Sequence, residues 1–188
     1  MLKHELRKLF MARRSELEEE DFKHLNEKIF LEFQRTFPED ARTVHIFLPI
    51  LKKKEIDTWP IIRWLWEKDC SVVVPEMDAF NHLLVSRLIS PDTKLLANSW
   101  GVPQPVDAEQ VDDAAIDLVV LPLLAFDVRG YRVGYGSGYY DRFLASLQHS
   151  PGKVGLSFFP PVQEISDVHT NDIRMDACIM PGTHVIFS

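Results

Sequence analysis

Two nearly unbroken apolar runs constrain this chain most: "CSVVVP" at residues 70–75 and "AIDLVVLPLLAF" at residues 115–126. A strand with one wet face alternates polar and apolar residues, whereas these runs are of the kind buried on both faces, as in parallel sheets covered by helices. The rest of the chain fits that frame. "TVHIFLP" reads as a strand ending in proline, and "DTWPIIRWLWEK" as a helix with an Asp-Thr cap and an apolar face of Ile61, Trp64 and Leu65. "HLLVSRLI", "KVGLSF", "THVIF" and the short "DACIMP" read as further strands, with a helix over about 138–148. Two helices precede all of this, with Leu2, Leu6, Leu9 and Phe10 on one apolar face and Phe22, Leu25, Ile29 and Phe33 on the other. Ser15 is the expected cap at their join, and Pro38 closes the second. The expectation is a single three-layer α/β domain over residues 1–188, with a mostly parallel sheet, helices on both faces and two helices in front. "ANSWGVPQPVDAEQVDDAA" reads as a long surface loop.

At 188 residues and 46% hydrophobic content the chain holds one full core. A net charge of −7 argues against a general nucleic-acid binder. The first residues are charged and no stretch approaches the roughly 20 apolar residues of a membrane helix, so the expected setting is the cytoplasm, without a membrane partner. Cys70 and Cys178 each sit among apolar neighbours and are expected to be buried free thiols.

Ligands of open α/β sheets bind beyond the carboxyl ends of the strands. One such end carries "YRVGYGSGYYDRFL", residues 131–144. Gly134, Gly136 and Gly138 can take backbone angles barred to other residues, so that successive N–H groups point into one concavity. A helix beginning just after adds its unpaired N–H groups and the positive end of its dipole, which together make a seat for phosphate. Arg132 lies beside it, and Asp141 falls in the first helical turn, where a carboxylate can meet a metal ion accompanying phosphates. Neither the Walker loop nor the dinucleotide fingerprint describes this G-x-G-x-G spacing.

The longer stretch "LPLLAFDVRGYRVGYGSGYYDRFL" resembles the signature of the 5-formyltetrahydrofolate cyclo-ligases, also called methenyltetrahydrofolate synthetases. Four more blocks resemble that family in its own order: "KHELR" with "ARR" after it, "EIDT", "SWGVPQP" and "RMDACI". The resemblance implies an enzyme that uses ATP and Mg²⁺ to convert 5-formyltetrahydrofolate to 5,10-methenyltetrahydrofolate with release of ADP and phosphate.

Carried over residue by residue, it implies ATP contacts from Lys3, Arg7 and Arg14 and from Arg132, Gly134, Tyr135, Gly136, Ser137, Gly138, Tyr139 and Tyr140. It implies folate contacts from Ile50, Glu55, Trp100, Tyr135 and Tyr139, with Glu55 accepting two parallel hydrogen bonds from the pterin. Asp141 and Asp176 are the implied Mg²⁺ ligands, no general base is assigned, and Asp127 is read as structural. Of the adjacent tyrosines, Tyr139 is favoured at the ligand and Tyr140 toward the core. Tyr135 and Ser137 depart from the residues common at these positions in the family. A phosphate- or coenzyme-binding isomerase or acyl transferase, and a non-catalytic folate or nucleotide binder, are the rival readings. The residues leave oligomeric state open.

Overall fold

The structure, a computed structural model, describes residues 1–187. Helices α1 (Lys3–Ser15) and α2 (Glu19–Thr36) come first. Leu2 N–H donates to Glu5 Oε2 at 2.8 Å, so the third residue of α1 reaches back to satisfy an orphan donor at its start. Ser15 does not cap α2: it ends α1, with its hydroxyl on the Ala12 carbonyl. The acids Glu19, Glu20 and Asp21 fill the first turn of α2, where the helix dipole favours negative charge.

The strands follow in chain order as β1 (Thr43–Ile46), β2 (Ser71–Asp78), β3 (Leu83–Ile89), β4 (Leu95–Ala97), β5 (Pro103–Pro105), β6 (Leu118–Leu121), β7 (Ala125–Phe126), β8 (Arg132–Val133), β9 (Gly152–Leu156), β10 (Ala177–Met180) and β11 (Thr183–Ile186). Helix α3 (Trp59–Glu67) lies between β1 and β2, and α4 (Tyr139–Ser146) between β8 and β9. Seven strands form the main sheet in the order β11-β10-β9-β6-β1-β2-β3. Strands β10, β9, β6, β1 and β2 are parallel, and β11 and β3 are antiparallel edges.

The run 115–126 is not one strand, because Pro122 has no N–H to continue the ladder; β6 stops at Leu121, and β7 pairs instead with β8 in a separate ribbon. The segment 97–115 is not all loop: β5 pairs with β4 in a ribbon held to β2 by Met77 N–H on Gln104 Oε1 at 2.6 Å. Asp57 accepts from Trp59 N–H at the start of α3, while the Thr58 hydroxyl turns inward to the Phe47 carbonyl.

Alternation along the strands gives the sheet two apolar faces. Val44, Ile46, Val72, Val74 and Val120 pack against Ile29 and Phe33 of α2 and Ile61, Ile62 and Leu65 of α3. Val119, Leu121 and Cys178 pack with Phe143 and Leu144 of α4. Both cysteines are free and buried. Helix α1 sets Leu6 and Phe10 against Leu124, Ala125 and Val133. The chain leaves β1 through α3 to β2 on one side and later returns to β6 on the other. The switch point therefore lies between the carboxyl ends of β1 and β6, where an open α/β sheet makes a crevice.

His45, in the middle of β1, is fully buried beneath α4. Its ring stacks on Phe143 at 4.7 Å between centroids and meets Tyr140 edge-on at 6.0 Å, and neither ring nitrogen has a hydrogen-bond partner among the described residues. Burial lowers its pKa to about 3, so the fold holds it neutral. Below the unfolded-chain value of about 6.5 the unfolded state takes a proton that the folded state refuses, and stability falls as pH drops toward 3. His45→Leu should flatten stability against pH between about 6.5 and 3 by close to one proton, measured as the pH dependence of urea midpoints. An unchanged slope contradicts this account of His45.

Candidate active site

A cleft of about 720 Å³ opens at the switch point. Its walls come from α1, from the segment after β1, from residues 134–141, and from the turn of the β4–β5 ribbon that carries Trp100. Trp100 is 53% exposed, which an aromatic at a cleft rim explains better than one in a core.

The glycine loop is tied down from outside rather than by its own backbone. Arg7 Nε donates to the Gly134 carbonyl at 3.0 Å, and Arg142 Nη2 donates to the Ser137 carbonyl at 2.9 Å while its Nε holds the His82 carbonyl. Gly136 has φ +107° and Gly138, the residue preceding α4, has φ +66°; Gly134 has no positive φ, so two of the three glycines use the freedom expected of all three. A Cβ on Gly136 would stand 3.2 Å from an Arg7 guanidinium nitrogen. Among the described residues, the N–H groups of Gly134 through Gly138 donate to no protein acceptor. Five successive donors without a protein acceptor, followed by the first turn of α4, are a geometry that can receive an anion.

Arg132 and Asp141 flank this loop and bond to each other, Nη2 to Oδ1, at 2.9 Å. Arg132 also donates to the Ile173 carbonyl at 2.6 Å, and Asp141 Oδ1 accepts from Ile173 N–H at 3.1 Å. Burial lowers the pKa of the Arg132 guanidinium, with the Asp141 carboxylate pulling the other way.

Three chain segments meet at one hydroxyl. Tyr135 reaches from the loop to donate to Glu55 Oε1, and it accepts from Arg14 Nη2 at 2.5 Å. The other Glu55 oxygen accepts from Ile50 N–H at 2.7 Å. Burial, reinforced by the Glu55 carboxylate, holds the Tyr135 phenol well above its ordinary pKa. Lys53 Nζ lies 5.3 Å from the Tyr135 ring centre. Of the neighbouring arginines Arg13 and Arg14, the second lines the cleft, and the first stacks over Phe10 and Phe159.

Lys3 also lines the cleft, with Nζ on Asp172 Oδ2 at 2.5 Å. Burial alone would raise the Asp172 carboxyl, but Lys3 and the His169 amide outweigh it and hold the pKa low. Tyr139 and Tyr140 both line the cleft, and Tyr140 also packs its ring against His45 and Phe143 in the core. Tyr139 lies under the Arg142 guanidinium, and the Tyr140 hydroxyl is buried with no partner among the described residues.

Asp176 is not at this site. It precedes β10, at the opposite end of that strand from the cleft, and binds the Lys153 amide at 2.8 Å and the Lys153 ammonium at 2.9 Å. No group of three or more His, Cys, Asp or Glu residues among those described could cage a metal. Mg²⁺ needs no such cage, because it is usually held by one or two carboxylates with phosphates and waters. Asp141 fits that requirement: both of its hydrogen bonds fall on Oδ1, and Oδ2 makes none among the described residues. Asp127 is structural, fully buried and accepting from the Arg129, Tyr131 and Ile165 amides, which sets the turn leading into the loop.

The model of the 5-formyltetrahydrofolate cyclo-ligase family matches residues 1–181. The chain belongs to the 5-formyltetrahydrofolate cyclo-ligase family. It is 33% identical over 147 residues to the 5-formyltetrahydrofolate cyclo-ligase of Escherichia coli K12, covering 76% of this chain and 79% of that one. It is 30% identical over 149 residues to the mouse cyclo-ligase, covering 73% and 72%. The solved 5,10-methenyltetrahydrofolate synthetase of Aquifex aeolicus superposes with a TM-score of 0.83 at 29% identity, over 99% of this chain and 93% of that one. Within the family frame, the sequence motifs missed Asp172, which neutralises Lys3, and Arg142, which holds the loop's Ser137 carbonyl. Asp172 stands in "VHTND", which has no motif of its own and gains meaning only once α1 packs beside it.

Gly136→Val both forces a β-branched residue to a positive φ and displaces Arg7. Affinity for ATP should fall at least tenfold by calorimetry, with the far-UV spectrum unchanged; wild-type affinity would remove this loop as the phosphate seat.

Proposed function

We propose that the chain is an ATP-dependent 5-formyltetrahydrofolate cyclo-ligase that forms 5,10-methenyltetrahydrofolate, ADP and phosphate. The observation that carries this reading is the run of unpaired N–H groups at Gly134–Gly138, set in a cleft whose opposite wall holds the buried carboxylate of Glu55. Such a cleft has a seat for a polyanion and, a short span away, an acceptor for a planar ring with parallel N–H donors.

The chemistry needs both. A formamide carbon is a weak electrophile, and its oxygen leaves poorly. Attack of the formyl oxygen on the γ-phosphorus of ATP breaks the bond to ADP and leaves the oxygen as a phosphate ester on an N5-stabilised carbon. N10 then bonds to that carbon and loses its proton, and the C–O bond breaks to release phosphate carrying the formyl oxygen.

Phosphoryl transfer asks a protein chiefly for alignment and charge stabilisation. Here Gly134–Gly138 hold phosphate oxygens, with Lys3, Arg7 and Arg14 supplying positive charge from α1. The Ile50 amide orients the Glu55 carboxylate, which fixes the pterin, and Trp100 offers a flat face at the rim. Asp141 would hold Mg²⁺ through Oδ2, and the ion would neutralise phosphate charge there. Arg132, tied to Asp141, braces the loop rather than reaching the nucleotide freely.

The direct test mixes the protein with 5-formyltetrahydrofolate and Mg²⁺, with and without ATP, and follows the methenyl chromophore and phosphate together. Both should appear, and only with ATP. Glu55→Gln should raise KM for the folate roughly tenfold or more, through loss of a charged acceptor. Binding of both ligands without any chromophore would make the chain a binder and overturn the enzymatic reading.

A further inference from the structure

The Glu55 carboxylate, the pterin acceptor of the reading above, is 6% exposed and has a donor on each oxygen, Ile50 N–H on Oε2 and the Tyr135 hydroxyl on Oε1. Both oxygens already accept one hydrogen bond, so a ring that approaches with two parallel N–H groups must compete with Tyr135 for Oε1. The cover comes from the nucleotide side of the cleft. Tyr135 belongs to the phosphate loop, between Gly134 and Gly136, and is itself 40% exposed. Its hydroxyl is held from behind by Arg14, whose guanidinium also lies 5.6 Å from the Tyr135 ring centre.

We propose that Tyr135 is a placeholder that couples the two seats: it occupies Glu55 until nucleotide phosphates bind its loop, and their binding releases Glu55 to the folate. This rests on the cyclo-ligase reading of the cleft.

The exchange follows from the bonds present. A phosphate entering the loop takes the free N–H groups around Tyr135, and it offers Arg14 a charged partner in place of a neutral hydroxyl. Charge-assisted hydrogen bonds are roughly twice as strong as neutral ones, so Arg14 moves to the phosphate and Tyr135 loses its support. The glycines on both sides give the backbone freedom to carry the ring aside. Burial keeps the phenol neutral, so the hydroxyl remains a donor to Glu55 across the working pH range. The coupling is reciprocal, so folate must tighten nucleotide binding by the same factor. The residue acts by position, through Glu55, and takes no part in bond making. Its value to the enzyme is order: a folate that waits for ATP is not held in a cleft that cannot turn it over.

The experiment is calorimetric titration of 5-formyltetrahydrofolate into the whole protein, alone and saturated with a non-hydrolysable ATP analogue and Mg²⁺, for wild type, Tyr135→Phe and Tyr135→Ala. Wild type should bind folate about tenfold more tightly with the analogue present, the size expected from freeing a hydrogen bond to a charged group. Both variants should bind folate alone more tightly than wild type, and the analogue should change their folate affinity by less than twofold. The alanine variant guards against Arg14 simply replacing the phenol on Glu55 under the retained ring. If wild-type affinity is the same with and without the analogue, the coupling does not exist. Variants that bind folate more weakly and keep the wild-type coupling would make Tyr135 an ordinary wall contact and overturn the proposal. If wild type binds neither ligand, the cyclo-ligase reading itself fails, and the placeholder falls with it.

Discussion

Arg132 and Asp141 stand on either side of the glycine run, and their ion pair at 2.9 Å closes it into a loop. Both also grip Ile173, one through its carbonyl and the other through its amide, so the loop is fastened to the segment ahead of β10 as well as to itself. A guanidinium as buried as Arg132 is tolerable only with such partners, and removing one partner of a buried pair typically costs about 3 kcal/mol or more. The pair thus spends two charges on geometry. What it fixes is the path of Val133–Tyr140, and with it the direction in which five amide groups face. The anion seat, the reach of Tyr135 and the start of α4 all depend on that path.

The cleft is charged unevenly, and the unevenness matches a reaction with two ligands. Helix α1 delivers Lys3, Arg7 and Arg14 to the loop side, yet each already has a partner there: Asp172, the Gly134 carbonyl and the Tyr135 hydroxyl. Arg7 and Arg14, held by neutral groups that a phosphate could replace, are not left bare in its absence, whereas Lys3 is held by the Asp172 carboxylate. The far wall, from the segment after β1, carries the Glu55 carboxylate with Lys53 beside it. The parallel strands bring these walls together because β1 and β6 are neighbours whose connections leave on opposite sides.

Much of the fold was legible because buried parallel strands write themselves as apolar runs: Val72–Val74 and Leu118–Leu121 are read off by composition alone. The errors were local. A hydrophobic run says nothing about where a ladder stops, so Pro122 had to be weighed as a missing donor rather than as one more apolar residue. The β4–β5 ribbon was hidden by prolines that can pair only on one side. At the site, motifs found the loop and Glu55, but a motif cannot say which partner a charge takes. The family pattern points to Asp176 at the metal, and the fold puts it on Lys153. Arg132 lines the cleft, and its spacing beside the loop does not reveal that it is paired with Asp141. The Tyr135–Glu55 bond joins residues 80 apart in sequence, a pairing that no local spacing reveals.

The central claim is that the cleft brings the formyl oxygen of one ligand to the terminal phosphorus of the other. The most direct measurement labels the formyl oxygen of 5-formyltetrahydrofolate with ¹⁸O, turns it over with ATP, and weighs the released phosphate. One labelled oxygen in each phosphate is the result this account predicts, since the bond that breaks last is the one between carbon and that oxygen. Unlabelled phosphate, with the label lost to water, would mean that ATP is hydrolysed apart from the folate and would contradict it.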